Sequence, residues 1–170
     1  MFKSFDKFDI NVNEVTIHGV KGGSGPPLLL LHGYPQTHII WHKIAPRLSE
    51  TYTVVATDLR GYGDSSKISG GNRHINYTFR AMAKDQIAVM NKLGFSSFLL
   101  AGHDRGARVA HRLALDKPDV VKKLILMDII PTVTLYETAN QQIATGYYHW
   151  YFLIQPYDFP EHLIGGDPEY

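Results

Sequence analysis

Between Leu99 and Ala110 an apolar, strand-like run breaks at glycine and restarts as a helix-like run: Leu99-Leu100-Ala101-Gly102-His103-Asp104-Arg105-Gly106-Ala107-Arg108-Val109-Ala110. One carboxylate, Asp104, stands at the break. The Gly-x-Asp-x-Gly pattern is that of a nucleophile elbow with aspartate in place of serine. The flanking glycines let a strand and a helix pass close beside a residue held in a tight turn, which lifts its side chain above the sheet. A carboxylate presented this way can attack carbon and form an ester. The competing reading of the same five residues is a strand-turn-helix whose aspartate caps the helix, since Asp is a favoured N-cap. The rest of the chain has to choose between them.

The neighbouring segments supply a frame. Phe8–Val12 and Val15–Val20 alternate and read as an antiparallel pair. Leu28–Leu31 is apolar without alternation, as a strand buried on both faces of a parallel sheet is. It ends in His32-Gly33-Tyr34-Pro35, after which Trp41, Ile44, Ala45 and Leu48 keep helical spacing. Val54–Ala56 is the next strand, ending at Asp58, and a glycine-punctuated loop, Leu59–Ser66, extends in polar residues to Asn76. The spacing of Phe79, Met82, Ala83, Ile87, Met90 and Leu93 predicts a helix over Tyr77–Leu93, stopped by Gly94. Phe98–Ala101 leads into the elbow, whose helix runs to about Asp116, and Leu124–Met127 is a further buried strand ending at Asp128. Such alternation implies right-handed crossovers and a parallel sheet covered on both faces, with ligands beyond the carboxyl ends of its strands. Gly33-Tyr34, Asp104-Arg105 and Asp128 all fall there. After Pro131 the chain turns aromatic and polar, and a helix over Leu135–Ile154 reads as the start of a lid, with aromatic core packing as the plainer alternative.

Composition bounds the chemistry. With 17 basic and 16 acidic residues spread along 170, the chain has no electrostatic footprint for nucleic acid or an anionic membrane, so the expected partner is a small molecule. No cysteine is present, which rules out disulfides and thiolate metal sites and fits a cytoplasmic protein. The longest apolar run, Pro26–Leu31, is far too short to span a bilayer, and the N-terminus lacks the apolar stretch of a signal peptide. No metal or cofactor site is expected.

The combination of His32-Gly33-Tyr34-Pro35, Trp41, Asp58-Leu59-Arg60-Gly61-Tyr62-Gly63, the aspartate elbow and Asp128 resembles the α/β-hydrolase superfamily in its branch with aspartate nucleophiles. Within it, Gly102-His103-Asp104-Arg105-Gly106-Ala107-Arg108, Asp128-Ile129-Ile130-Pro131-Thr132 and Tyr148-His149-Trp150-Tyr151-Phe152 resemble the fluoroacetate (haloacetate) dehalogenases, a likeness that continues through Gln155-Pro156 to Ile164-Gly165-Gly166-Asp167-Pro168. The resemblance implies a mostly parallel, doubly wound sheet, with six of the fold's eight strands in this chain. Residues 1–131 would form the N-terminal part of the core and residues 132–170 the beginning of a helical cap. The implied reaction is hydrolytic dehalogenation of a haloacetate through an aspartyl ester, without a cofactor, and relatives of this kind are commonly homodimers.

A haloacetate carries its own carboxylate beside the carbon under attack, so an anionic nucleophile needs cations nearby. Arg105 adjoins Asp104, and Arg108 follows one helical turn on. Their guanidiniums can hold the substrate carboxylate in forked hydrogen bonds, whereas Arg112 reads as a surface residue paired with Asp116. The backbone N–H groups of Tyr34 and Arg105 are the expected oxyanion hole for ester hydrolysis, and Asp128 the residue that orients a water-activating histidine; its plainer reading is a turn aspartate. By resemblance, His149 and Trp150 donate N–H bonds to the departing halide. His32 and His103 are expected to brace their turns rather than act as bases. No histidine after Asp128 suits the triad, since His149 is committed to the lid and His162 follows closely. The 170 residues therefore read as the N-terminal part of a longer enzyme; in these residues by themselves Asp104 would be alkylated and its ester would persist, because no base activates water. An epoxide hydrolase using Tyr147, Tyr148 or Tyr151 as proton donors, and a non-catalytic fragment, are the alternatives.

Overall fold

A computed structural model describes residues 1–166; Asp167 and Pro168, the last residues of the stretch carrying the resemblance, lie outside them. The first compact unit, Met1–Ile129, holds six strands: β1 (Asp6–Val12), β2 (Val15–Gly22), β3 (Pro27–Leu31), β4 (Thr53–Thr57), β5 (Phe98–His103) and β6 (Val121–Met127). They form one sheet in the order β1-β2-β4-β3-β5-β6. β1 and β2 pair antiparallel and β2 joins β4 antiparallel, while β4, β3, β5 and β6 run parallel. This is the mostly parallel sheet expected from the short apolar runs.

β3 accounts for the layering. Leu29 and Leu31 pack on one face with α2 (Phe79–Lys92), α3 (Arg105–Asp116) and β5 in a core that includes Met82, Met90, Leu100, Val109 and Leu113. Leu28 and Leu30 pack on the opposite face with Trp41, Ala45, Val54 and Ala56. Each fully buried leucine is worth roughly 1.5–3 kcal/mol of transfer free energy, which makes this strand a main source of the sheet's stability. α2 begins where the Thr78 hydroxyl accepts from Ala81 N–H at 3.2 Å, and its last residue is followed by Leu93 and Gly94.

Three expectations need correcting. The helical spacing from Trp41 to Leu48 is realised as a 3₁₀ turn, His38–Lys43, followed by a four-residue helix α1 (Ala45–Leu48). Pro46 lies at the start of α1, where its missing N–H costs nothing. The break leaves Ile44 47% exposed while Trp41 and Ala45 stay buried. β6 is not buried on both faces: it pairs with β5 alone, at the sheet edge among the described residues, and Ile125 is 56% exposed. The single helix expected over Leu135–Ile154 is broken into α4 (Thr132–Glu137), α5 (Gln141–Gly146) and α6 (Tyr148–Phe152), with α7 (Phe159–Gly166) beyond. Asn140 explains one break, because its side chain accepts from Ile143 N–H at 3.0 Å and so begins a new helix. Tyr147, outside helical geometry at φ −113°, ψ 35°, separates α5 from α6. These helices belong to the second compact unit, which begins at Ile130.

No helix among the described residues is long and apolar enough to cross a membrane.

Candidate active site

The parallel register of β3 and β5 sets Leu31 opposite Gly102, so the turns that follow the two strands are neighbours. Asp104 occupies the N-cap position of α3 but makes no cap bond with its side chain. Its backbone is at φ 49°, ψ −118°, in the left-handed region that a non-glycine residue enters only under constraint. The carboxylate instead accepts from Tyr34 N–H, at 2.8 Å from Oδ1. The capping alternative therefore fails, and the elbow geometry holds.

Two glycines make this turn feasible. A Cβ on Gly106 would collide with the carbonyl oxygens of Leu31 and His32, where the helix start presses on the end of β3. A Cβ on Gly33 would come to 2.5 Å from Asp104 Cβ, so the β3 turn reaches the carboxylate only because it passes as glycine. The Tyr34–Pro35 peptide in this turn is cis.

His32 braces the turn, as expected. Leu59 N–H donates to its Nε2 at 3.0 Å, so Nδ1 carries the ring hydrogen and donates to Gly33 O at 2.8 Å. Burial holds its pKa below the ordinary histidine value, against opposing contributions led by the Gly33 hydrogen bond, and the ring is a neutral strut rather than a base.

Arg105, half-buried, lies with its guanidinium carbon 5.7 Å from the centre of the Phe79 ring. Arg108 is buried to 5% exposure on the next turn of α3. Arg112 pairs with Asp116, which also accepts from Arg80 Nε at 2.9 Å, the surface role anticipated for it. Asp128 follows β6 at φ 58° with its side chain 78% exposed. Asp104 N–H donates to Met127 O at 3.0 Å, so the ends of β5 and β6 are tied together beside the elbow. Asp104, Tyr34, Arg105, Arg108 and Asp128 thus all lie at the carboxyl end of the sheet in the first unit. His149 and Trp150 lie on α6 of the second unit. His149 contacts the rings of Tyr147 and Tyr148 at centroid distances of 6.0 and 5.9 Å, and Trp150 meets Tyr136 edge-on at 6.1 Å.

Three supporting groups were not assigned from the sequence. Asp58 Oδ1 accepts from His38 N–H at 2.7 Å and faces His38 Nδ1 at 2.8 Å, while Oδ2 accepts from Asp64 N–H at 3.0 Å. Burial pushes the Asp58 pKa up, but the hydrogen bonds from the His38 ring, His38 N–H and Asp64 N–H together outweigh it and hold the carboxyl below the ordinary aspartate value. Arg60 grips Asp85 with two bonds of 2.6 Å, both residues buried, and donates to Asn76 O at 2.7 Å, which fastens the long loop to α2. Gln36 accepts from Gly33 N–H at 3.1 Å. Strand-end and loop spacing could flag Asp58, but nothing local announces Asp85 or Gln36. Among the described residues no group of three or more His, Cys, Asp or Glu is placed to hold a metal ion.

A mostly parallel sheet, a strained acidic elbow and a backbone donor from the turn after the neighbouring strand β3 define an α/β hydrolase. The chain belongs to that family: its residues 26–164 match the family described as alpha/beta hydrolase fold. It is 54% identical to the fluoroacetate dehalogenase of a Burkholderia species over 169 residues, 99% of this chain and 56% of that protein. It is 42% identical to the soluble epoxide hydrolase of Corynebacterium sp. (strain C12) over 120 residues, 71% of this chain and 40% of that one. A crystal structure from Nostoc sp PCC 7120 superposes on the whole chain with TM-score 0.94 at 61% identity, this chain matching 58% of it. The chain spans about half the length of the curated relatives it matches.

Proposed function

We propose that the chain carries the nucleophilic part of a haloacetate dehalogenase, converting a haloacetate and water to glycolate and halide. The observation that carries the reading is the Asp104 carboxylate, turned away from its own helix and held by Tyr34 N–H at 2.8 Å, with Arg105 and Arg108 on the first two turns behind it. One carboxylate oxygen of Asp104 attacks the α-carbon in line with the carbon–halogen bond. A C–O bond forms, the halide leaves with the bonding pair, and a carboxymethyl ester remains on Asp104. Arg105 and Arg108 hold the substrate carboxylate, which lowers the repulsion between two anions. His149 and Trp150 are the N–H donors proposed for the halide.

Water then attacks the Asp104 carbonyl carbon. Tyr34 N–H, already on the carboxylate, and Arg105 N–H stabilise the oxyanion, and Asp128 orients a water-activating histidine, a base that no position after Asp128 in this chain supplies. Collapse of the tetrahedral intermediate breaks its bond to the ester oxygen, which leaves as glycolate with the proton taken from water and frees the Asp104 carboxylate. The sequence likeness to a fluoroacetate dehalogenase supports the substrate class. An epoxide has no carboxylate to anchor, so the two arginines favour the haloacid over the epoxide reading that the Corynebacterium relative would suggest.

The test is intact-mass analysis of the chain after incubation with chloroacetate. One carboxymethyl adduct, mapped to Asp104 and absent from D104N, is expected. Adducts elsewhere, equal labelling of D104N, or an adduct formed with a simple epoxide in preference to chloroacetate would count against the reading.

A further inference from the structure

One ring at the elbow has no part in the steps above: His103, the last residue of β5 and the immediate neighbour of Asp104. The β5–β6 register sets His103 opposite Met127, which brings its Nε2 to 3.5 Å from Asp128 Oδ2. Its other nitrogen, Nδ1, lies 3.1 Å from Gln36 Oε1. The same oxygen accepts from Gly33 N–H at 3.1 Å.

The backbone decides where the hydrogens are. A peptide N–H can only donate, so Gln36 must turn its amide oxygen toward Gly33. That oxygen cannot donate to His103 in turn, so His103 Nδ1 must carry a hydrogen. The ring's other edge, Nε2, faces the Asp128 carboxylate across 3.5 Å.

We propose that His103 is a positioning residue. Its Nδ1–H clamps the Gln36 amide onto the Gly33–Pro35 turn, from which Tyr34 N–H reaches Asp104, while its Nε2 edge tethers Asp128. One ring thereby links the two acids of the site. The Gln36 side carries most of the effect, because the Asp128 side chain is 78% exposed and a 3.5 Å pair in water is weak, whereas the His103 side chain is only 28% exposed. The catalytic consequence rests on Asp104 being the nucleophile; the clamp itself does not.

The test separates the two. In two-bond ¹H–¹⁵N spectra of ¹⁵N-histidine-labelled chain, the His103 ring, identified by its loss in H103N, is expected to be protonated on Nδ1. A ring protonated on Nε2 alone overturns the proposal. Asparagine places its amide nitrogen near the position of Nδ1, so H103N keeps the donor that H103A removes, and Q36L removes the acceptor. Alkylation of Asp104 by chloroacetate is expected to slow about tenfold in H103A and in Q36L, no further in the double variant, and to stay within about twofold of the parent in H103N. The Tyr34 amide proton resonance shifts in H103A and returns in H103N. Losses that multiply in the double variant, or an unmoved Tyr34 resonance, would also overturn it. If the parent chain takes up no chloroacetate, the nucleophile assignment fails, while the tautomer and the Tyr34 resonance still decide the clamp.

Discussion

Arg108 is buried to 5% exposure one turn beyond Asp104, at the position that the haloacetate reading gives to the substrate carboxylate. Lysine would preserve the charge at that position but not the planar fork, which suits a carboxylate through two parallel bonds. R108K is therefore expected to weaken chloroacetate binding by about 10- to 100-fold, the worth of roughly 1.5–3 kcal/mol for charge-assisted hydrogen bonds. The dependence of alkylation rate on chloroacetate concentration measures it: the half-saturating concentration should rise, and an unchanged value would remove Arg108 from the substrate site. At this scale much was legible in the sequence. Asp104 between two glycines, with arginines at the next positions, is a local pattern, and local patterns survive in one dimension. Gln36 and Asp85 were not legible, because their roles depend on partners brought near by the fold: Gln36 on His103, 67 positions away, and Asp85 on Arg60, 25 positions away.

At the scale of elements, the elbow works because α3 starts against the end of β3. Gly106 is the contact point, and a methyl group there meets two backbone carbonyls that cannot rotate away. G106A is expected to destabilise the chain by about 3 kcal/mol, the upper part of the range for overpacking a filled site, read as a lowered urea midpoint. An unchanged midpoint would mean that α3 can shift outward freely. The strands were more legible than the helices around them. Leu28–Leu31 has one solution, burial on both faces, and the structure adopts it. The aromatic and polar segment after Pro131 reads as one helix over Leu135–Ile154, but Asn140 satisfies the backbone of a new helix with its own side chain and interrupts the run. A capping bond of this kind competes with helix continuation on nearly equal terms, so periodicity alone does not locate it.

For the whole molecule, pH is a direct probe of the buried polar frame. His32 is buried neutral, with its pKa lowered from 6.5, so the unfolded chain takes up a proton near that value while the folded ring does not. Its contribution is fully present above pH 6.5 and is lost as the pH falls through the lowered folded value. Asp58 has its pKa lowered from 3.8, so its contribution is present above that value and is lost on further acidification. Urea unfolding across this range should give a stability that declines first below pH 6.5 and again below pH 3.8, and H32N should flatten the first decline. A parallel offset between the parent and H32N curves would show that His32 does not titrate differently on folding. By itself the sequence determined the class of fold and the identity of the acid at the elbow, because the apolar run Leu28–Leu31 demands burial on both faces of a parallel sheet and a glycine-flanked carboxylate demands a tight turn. Only the tertiary structure decided what that acid meets. The Tyr34–Asp104 bond joins residues 70 positions apart and exists because β3 and β5 pair in one register. A slip of a single residue would turn every side chain of the strand to the other face, and no local periodicity records which neighbour a strand will choose.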